Sequence, residues 1–149
     1  MVKNKDEYYM QLALKDARYA LAHDEVPIGA VVVCDDTVIA KGWNQVEQLC
    51  DATAHAEMIA LTAAANYLGS KFLEQCTLYV TVEPCPMCAA ALRWARIGRV
   101  VYGAADDKSG YSRFGPTLFH PKTQLQGGVL ADSCSELMTA FFINKRKGG

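Results

Sequence analysis

The stretch Thr77-Leu-Tyr-Val-Thr-Val-Glu-Pro-Cys-Pro-Met-Cys88 carries the clearest structural signals in the chain. Its first six residues, 77–82, are mostly β-branched or aromatic, which is typical of a strand. Pro84 opens a segment that predicts a helix over 84–96, because a proline in the first turn of a helix loses no hydrogen bond. The other elements are assigned outward from this strand and helix.

Periodic segments lie on both sides of this stretch. Before it, the pattern predicts a helix, a hairpin of two strands and a second helix, over 6–23, 29–34, 37–41 and 54–67. After it, the pattern predicts a strand, a loop with one short helix, a fifth strand and a final helix, over 99–103, 106–122, 123–126 and 132–147. Gly69 is the expected stop of the second helix, and Asp132 the expected N-cap of the last. This order predicts an α/β fold, a three-layer α/β/α sandwich whose five-stranded sheet is made mixed by the first hairpin.

Length and composition fit one folded domain over 1–149. The chain has 149 residues, of which 51% are hydrophobic and 21% charged, so it can bury a core and is not disordered. Mean hydropathy is +0.02, but no apolar run reaches the ~18 residues of a membrane span. The N-terminal residues lack the apolar region of a secretory signal. We therefore expect a cytoplasmic protein that does not associate with a membrane.

Charge is unevenly distributed although the net charge is only −1. Residues 1–75 hold six basic and eleven acidic side chains, whereas residues 76–149 hold nine basic and five acidic ones. A basic half can face a polyanion while the whole chain stays near neutral. Ordinary solvated faces would give the same counts, so charge alone does not indicate a partner.

Two short motifs point to a metal site. Cys85 and Cys88 lie at the predicted start of one helix, and spacing of three places both thiols on the same side. Helix N-termini favour the thiolate form that binds metal. His55 lies at the start of the neighbouring helix and supplies a third ligand. Three protein ligands are typical of a catalytic zinc site, in which the fourth position is left for water. Glu57 is then placed to shuttle a proton rather than to bind the metal.

Each of these residues has a simpler explanation when it is taken alone. His55 could be a helix cap or a surface group, and Glu57 a solvated charge. Cys85 and Cys88 could form a redox pair, although that explanation gives His55 and Glu57 no role. A structural four-cysteine zinc site would need a second Cys-x-x-Cys, which the chain lacks. A zinc-stabilised module without catalysis remains a further alternative, against which the intact Glu57 argues.

Together the motifs match the signature of zinc-dependent nucleobase deaminases: His-x-Glu, a strand, and then Pro-Cys-x-x-Cys. The sequence resembles the cytidine deaminase superfamily and, within it, the bacterial tRNA-specific adenosine deaminases. The similarity covers residues 8–104 and 127–146. Its matching stretches are 25–33, 42–44, 53–57, 77–85, 87–89, 96–104 and the final helix with Phe141-Phe142 and Lys145-Arg146.

The resemblance implies roles for individual residues. It makes His55, Cys85 and Cys88 the ligands of one Zn²⁺ per chain and Glu57 the catalytic proton shuttle. Asn44 stands where the family has an asparagine that hydrogen-bonds the target base; the alternative for Asn44 is a turn residue at a strand end. Backbone N–H groups around Ala56, Glu83 or Cys85 are expected to line the substrate pocket.

The resemblance also implies a substrate and an assembly. The expected reaction is hydrolytic deamination of the wobble adenosine of a tRNA to inosine. The expected assembly is a homodimer with the anticodon loop lying across the subunit interface.

One segment departs from the family. The family has a small-residue Gly-Ser-Leu stretch and an Asn-His pair after the fourth strand, where this chain has 110–116 and 120–122 without that pair. Arg113 could still contact a phosphate, and Tyr111 and Phe114 could stack on bases, or the loop could pack on its own domain or a dimer partner. The alternative function is a guanine or cytosine deaminase that acts on free bases or nucleosides with the same zinc chemistry.

Overall fold

A mixed five-stranded sheet forms the middle layer of the computed structural model, which describes residues 4–147. Its strands are β1 (Gly29–Cys34), β2 (Thr37–Trp43), β3 (Cys76–Val82), β4 (Arg99–Ala104) and β5 (Gln124–Gln126). They lie in the order β2-β1-β3-β4-β5, with β1 antiparallel to both of its neighbours and β3, β4 and β5 parallel. The predicted mixed sheet is confirmed.

Helices cover both faces of this sheet. The helices are α1 (Lys5–Ala22), α2 (Val46–Leu49), α3 (Ala56–Leu68), α4 (Pro86–Trp94) and α5 (Ala131–Arg146). Buried side chains of α1 and α5 pack together on one face of the sheet, and those of α3 and α4 pack on the other. The predicted three-layer α/β/α sandwich is therefore confirmed.

The apolar run of β1 follows from its place between the two helical layers. Ala30 and Val32 face the core under α3 and α4, whereas Val31 and Val33 face the core under α1. Side chains of a strand alternate between its two faces, so a strand buried on both sides has no polar positions.

Gly42 in β2 lets α3 lie close against the sheet. A Cβ at this position would be 2.6 Å from the carbonyl oxygen of Ala56 and 2.9 Å from the nitrogen of Ala60. Both atoms belong to the helix backbone and cannot turn aside as a side chain would. The glycine thus fixes the distance between β2 and the start of α3, which carries His55 and Glu57.

Several predicted boundaries differ from the structure. The helix predicted from residue 54 starts at Ala56, and the one predicted from residue 84 starts at Pro86. Cys85 is held extended (φ −74°, ψ 168°), as expected for a residue that precedes proline. Asp132 is not the N-cap of α5, because Leu130 occupies that position in a left-handed conformation (φ 53°). Asp132 lies in the first turn instead, where its negative charge suits the free N–H groups.

The two least regular segments contain more structure than predicted. Residues 106–122 hold two 3₁₀ turns, Tyr111–Arg113 and Pro116–Leu118, instead of one short helix. The one-turn helix α2 was not predicted at all. Among residues 4–147, no helix combines the length and the apolar character needed to cross a bilayer.

Candidate active site

Two helix starts on the same side of the sheet meet at the predicted metal site. His55 is the N-cap residue of α3 and Cys85 that of α4, and neither side chain caps its own helix. Cys88 lies one turn further along α4 and is fully buried. The sulfur atoms of Cys85 and Cys88 are each 3.6 Å from Nδ1 of His55. The structure therefore brings the three predicted ligands together.

These distances fit a tetrahedral zinc ion. Zinc bonds of about 2.3 Å to sulfur and about 2.05 Å to nitrogen, at a tetrahedral angle, place the two ligand atoms about 3.6 Å apart. The three donor atoms all lie within 4.8 Å of one another. Two thiols and one imidazole are donors that zinc prefers, and three donors leave the fourth position open.

Glu57 is buried beside this cluster but is not part of it. It is the second residue of α3 and is only 4% exposed. Burial raises the pKa of its carboxyl group to about 7. A carboxyl group whose pKa lies near neutrality can both accept and donate a proton, which is the property a proton shuttle requires.

The thiols and the imidazole polarise one another. A hydrogen bond from the Cys88 thiol lowers the pKa of Cys85 to about 4 and raises the pKa of Cys88. The same Cys85 sulfur raises the pKa of His55. Cys85 is thereby held as the thiolate, the form in which cysteine binds metal.

A cavity of about 550 Å³ opens above these residues. This volume is in the range of small-molecule sites. His55, Glu57 and Cys85 line the cavity from α3 and α4. Met138, Phe141 and Phe142 of α5 line it as well. The contribution of α5 follows from its packing against β4, which sequence periodicity does not disclose.

Asn44 lines the cavity and supports the start of α3. It is 5% exposed, and its Oδ1 accepts a hydrogen bond from the Ala56 N–H at 2.9 Å. The oxygen of the amide is thus used, which leaves the Nδ2 group as the part that can donate to a base. The structure places Asn44 at the cavity, and its hydrogen bond to a substrate base stays a prediction.

Glu83 also lines the cavity, and it holds the segment that follows β4. Its carboxylate accepts hydrogen bonds from the N–H groups of Asp106 (3.1 Å) and Ser112 (2.9 Å). The N–H of Glu83 itself donates to the carbonyl of Ala104. The N–H groups of both Ala56 and Glu83 therefore have protein acceptors, and substrate binding by these two residues stays a prediction.

The structure bears on the predicted RNA contacts of the 110–116 loop only through the exposure of the side chains. Arg113 is exposed, donates to the carbonyl of Lys108 at 2.8 Å and does not line the cavity, so its phosphate contact stays a prediction. The stacking role of Tyr111 is wrong, because its ring is 7% exposed and packs edge-to-face on Phe119. Phe114 is 63% exposed and remains accessible.

Sequence reasoning missed the role of Glu25. This acidic residue is 2% exposed, lines the cavity and bonds to the backbone of α2. The sequence does carry one signal: Glu25 directly precedes the apolar segment that leads into β1. A carboxylate at such a buried place needs hydrogen-bond partners within the protein.

Comparison with known proteins agrees with the architecture of the site. Residues 3–104 match the family described as the cytidine and deoxycytidylate deaminase zinc-binding region. The chain belongs to this family of zinc-binding deaminases.

Three proteins illustrate the similarity. A tRNA-specific adenosine deaminase from Agrobacterium fabrum is 44% identical over 144 residues, which cover 93% of this chain and 95% of that protein. A solved structure from a study of A-to-I editing by tRNA:A34 deaminases is 43% identical with a TM-score of 0.82, covering 87% of this chain and 98% of that one. A guanine deaminase from Nitrosomonas europaea is 26% identical with a TM-score of 0.81, covering 91% and 83%.

Proposed function

We propose that this protein is a zinc-dependent deaminase that converts adenosine to inosine at the wobble position of a tRNA. The observation that carries the proposal is the joint placement of His55, Cys85, Cys88 and Glu57 beside one cavity. The relatives named tRNA-specific adenosine deaminase, similar over nearly the whole chain, support the choice of substrate. The reaction consumes one water molecule: a C–O bond forms at C6 of the base, the C6–N6 bond breaks, and ammonia leaves.

The chain supplies a metal site, a proton shuttle and a base-orienting group. His55, Cys85 and Cys88 would hold the zinc ion, which when bound lowers the pKa of a water molecule to about 7. Glu57 accepts the proton of the attacking water and passes protons to the ring nitrogen and to the departing amine. Asn44 donates from Nδ2 to the base and holds its ring in the orientation for attack. Phe141 and Met138, which line the cavity, cover the ring of the substrate base and exclude bulk water.

Charge in and around the cavity favours a base that is attached to a phosphate chain. Among the residues that line the cavity, one is a lysine, Lys145, and six are acidic: Asp24, Glu25, Glu47, Glu57, Glu83 and Asp106. A second groove of about 740 Å³ adjoins the cavity and carries Lys108, Lys145 and Arg146 against the single acid Asp106. An acidic cavity repels phosphate, and a basic groove attracts it. The arrangement fits a flipped-out base in the cavity with its backbone in the groove.

A product assay tests this function directly. Zinc-loaded protein is given an anticodon stem–loop with adenosine at the wobble position, the same RNA with adenosine elsewhere in the loop, and free adenosine, guanine and cytosine. We expect inosine at the wobble position only, measured by mass spectrometry of the nuclease-digested RNA. Ammonia release from guanine or cytosine, with no inosine in any RNA, would support free-base deamination instead. The fold shared with the guanine deaminase is the observation that favours that second candidate.

Basic residues of the groove provide a prediction about RNA affinity. Removing a phosphate contact weakens binding and lowers the slope of log affinity against log salt by about 1. We expect the Lys145→Ala/Arg146→Ala double variant to raise KM for the stem–loop about tenfold or more and to flatten the salt dependence by about two. Zinc content should not change.

A matched control for the groove is Lys15→Ala, which removes an exposed lysine of α1 outside the cavity and the groove. It should leave KM and its salt dependence as they are. Equal salt slopes for the double variant and the wild type would show that the phosphates bind elsewhere, with Arg113→Ala as the next variant to measure.

We further propose a homodimer formed through the outer face of α4. Met87, Ala90, Ala91 and Trp94 recur at the spacing of one helix face, and none of them is buried. Trp94 is 82% exposed, which is unusual for an indole side chain in a stable monomer. A second copy presenting the same stripe would cover it across a two-fold axis.

A charge on this stripe should therefore dissociate the dimer. We expect Trp94→Glu to shift the mass measured by light scattering from about two chains to one at micromolar concentration, because the carboxylate cannot be buried unpaired. Tyr8→Glu is the control, since Tyr8 is 53% exposed on α1, across the sheet from α4. A wild-type protein that is already monomeric would contradict the proposal.

A cytoplasmic location and a single domain over 1–149 complete the proposed description.

A further inference from the structure

One wall of the cavity rests on a helix that cannot hold itself in place. Val46 and Glu47 of α2 line the cavity, and α2 consists of four residues only. A single helical turn is unstable in isolation, because its first N–H groups have no partner within the helix. Gln45, at the N-cap position of α2, makes no side-chain capping hydrogen bond.

Glu25 supplies the missing acceptors from another part of the chain. Its Oε1 accepts from the N–H of Glu47 at 3.1 Å, and its Oε2 accepts from the N–H of Gln48 at 2.7 Å. Hydrogen bonds to a charged acceptor are stronger than those between neutral groups. Both carboxylate oxygens are thus committed to α2, although the residue also borders the cavity.

The position of Glu25 is itself fixed by the end of α1. Its N–H donates to the carbonyl of Ala20 at 3.0 Å, and the preceding residue, Asp24, has a left-handed conformation (φ 61°). Glu25 is 2% exposed, so its carboxylate cannot turn outward to hydrogen-bond with solvent. The carboxylate therefore ties the cavity wall to the rigid α1 layer.

We propose that Glu25 is a positioning residue that holds α2, and with it Val46, against the bound base. The substrate named here depends on the proposed function, whereas the attachment of α2 does not. The ligands and Glu57 lie on α3 and α4, which Glu25 does not contact by hydrogen bonds. Loss of the carboxylate should therefore loosen the binding wall and leave the reacting groups in place.

The first test separates binding from turnover. Glu25→Gln replaces one acceptor by an NH₂ group that faces a backbone N–H, so α2 loses one bond and gains a repulsion. We expect KM for the stem–loop to rise roughly tenfold, with kcat within about threefold of wild type. Zinc content should be unchanged. Glu136→Gln, at an exposed site on α5, is the matched control.

The second test restores the cap from a different residue. Asp at the N-cap position can accept from the same N–H groups of α2. The double variant Glu25→Gln/Gln45→Asp should recover most of the lost affinity. If Glu25→Gln is too unstable to purify, Glu25→Asp replaces it, since the shorter side chain retains the charge but reaches α2 less well. An intermediate KM is then expected.

Amide hydrogen exchange distinguishes the proposal from the proposed function, because it needs no substrate. Exchange at Glu47 and Gln48 should accelerate in Glu25→Gln and slow again in the double variant. Faster exchange without inosine formation in any RNA would leave the attachment of α2 standing and refute the proposed function. Unchanged exchange and unchanged KM in Glu25→Gln would overturn the inference. A fall in kcat equal to the rise in KM, without rescue by Gln45→Asp, would overturn it as well.

Discussion

Replacement of Glu57 by glutamine is expected to abolish most turnover while leaving the metal site intact. The amide has nearly the same shape as the carboxylate but cannot accept and return a proton. General acid–base groups contribute typically 10²–10⁴-fold to a rate, so kcat for the stem–loop should fall by about that factor. Glu57 is not among the three clustered donors, and zinc content should therefore stay at about one ion per chain.

The measurement combines single-turnover inosine formation with metal analysis of the same preparation. Glu136→Gln makes the same chemical change at an exposed site and should retain wild-type kcat. Burial of Glu57 makes its neutral replacement tolerable, so the unfolding temperature should not fall. A variant that turns over at a near-normal rate would assign the proton transfer to another group.

The features that sequence predicted well depend on local physical chemistry. The strand Gly29–Cys34 was predicted with its observed bounds because a run of β-branched residues has few other stable places in a fold. His55, Cys85 and Cys88 were predicted as a group because three metal-binding residues at two helix starts are chemically distinctive. The structure adds that His55 and Cys85 are both N-cap residues with extended backbones.

The features that sequence missed depend on contacts between distant residues. The helix α2 is held by a carboxylate 22 residues earlier in the chain, so its own sequence gives no reason to expect a helix. The ring of Tyr111 is buried by Phe119 and Tyr102, and a loop sequence does not disclose which of its aromatic residues turns inward. The start of α5 at Ala131 depends on Leu130, an N-cap residue in the left-handed conformation, which local propensity disfavours for residues other than glycine and asparagine.

The hydrogen bonds of Glu83 explain how the cavity wall can accommodate a loop whose sequence departs from the family. Glu83 holds the segment after β4 through the backbone N–H groups of Asp106 and Ser112, not through their side chains. The exposed side chains of 107–116 can therefore vary while the backbone keeps its path, whereas Tyr111 packs in the core. A Cβ at Gly110 would clash with the carboxylate of Glu83, so glycine is required at that one position. The departure from the family in 110–116 is thus compatible with an unchanged active-site wall.

Loss of either cysteine of the cluster is expected to remove the metal. Cys85→Ala and Cys88→Ala each leave two donors, too few to hold zinc against competing chelators. Zinc content should fall from about one ion per chain to a small fraction, and inosine formation should become undetectable. Because ligand binding stabilises the folded state by mass action, both variants should also unfold at a lower temperature than the zinc-loaded wild type.

Thermal unfolding with and without a chelator separates lost metal from lost packing. Chelation should lower the unfolding temperature of the wild type and leave that of Cys85→Ala and Cys88→Ala unchanged. Cys134→Ala is the matched control: Cys134 is 1% exposed but lies in the core between α5 and β4, outside the cluster. It should lose stability through the cavity that it creates, yet retain zinc and its response to the chelator. Full zinc content in both Cys85→Ala and Cys88→Ala would show that other residues bind the metal.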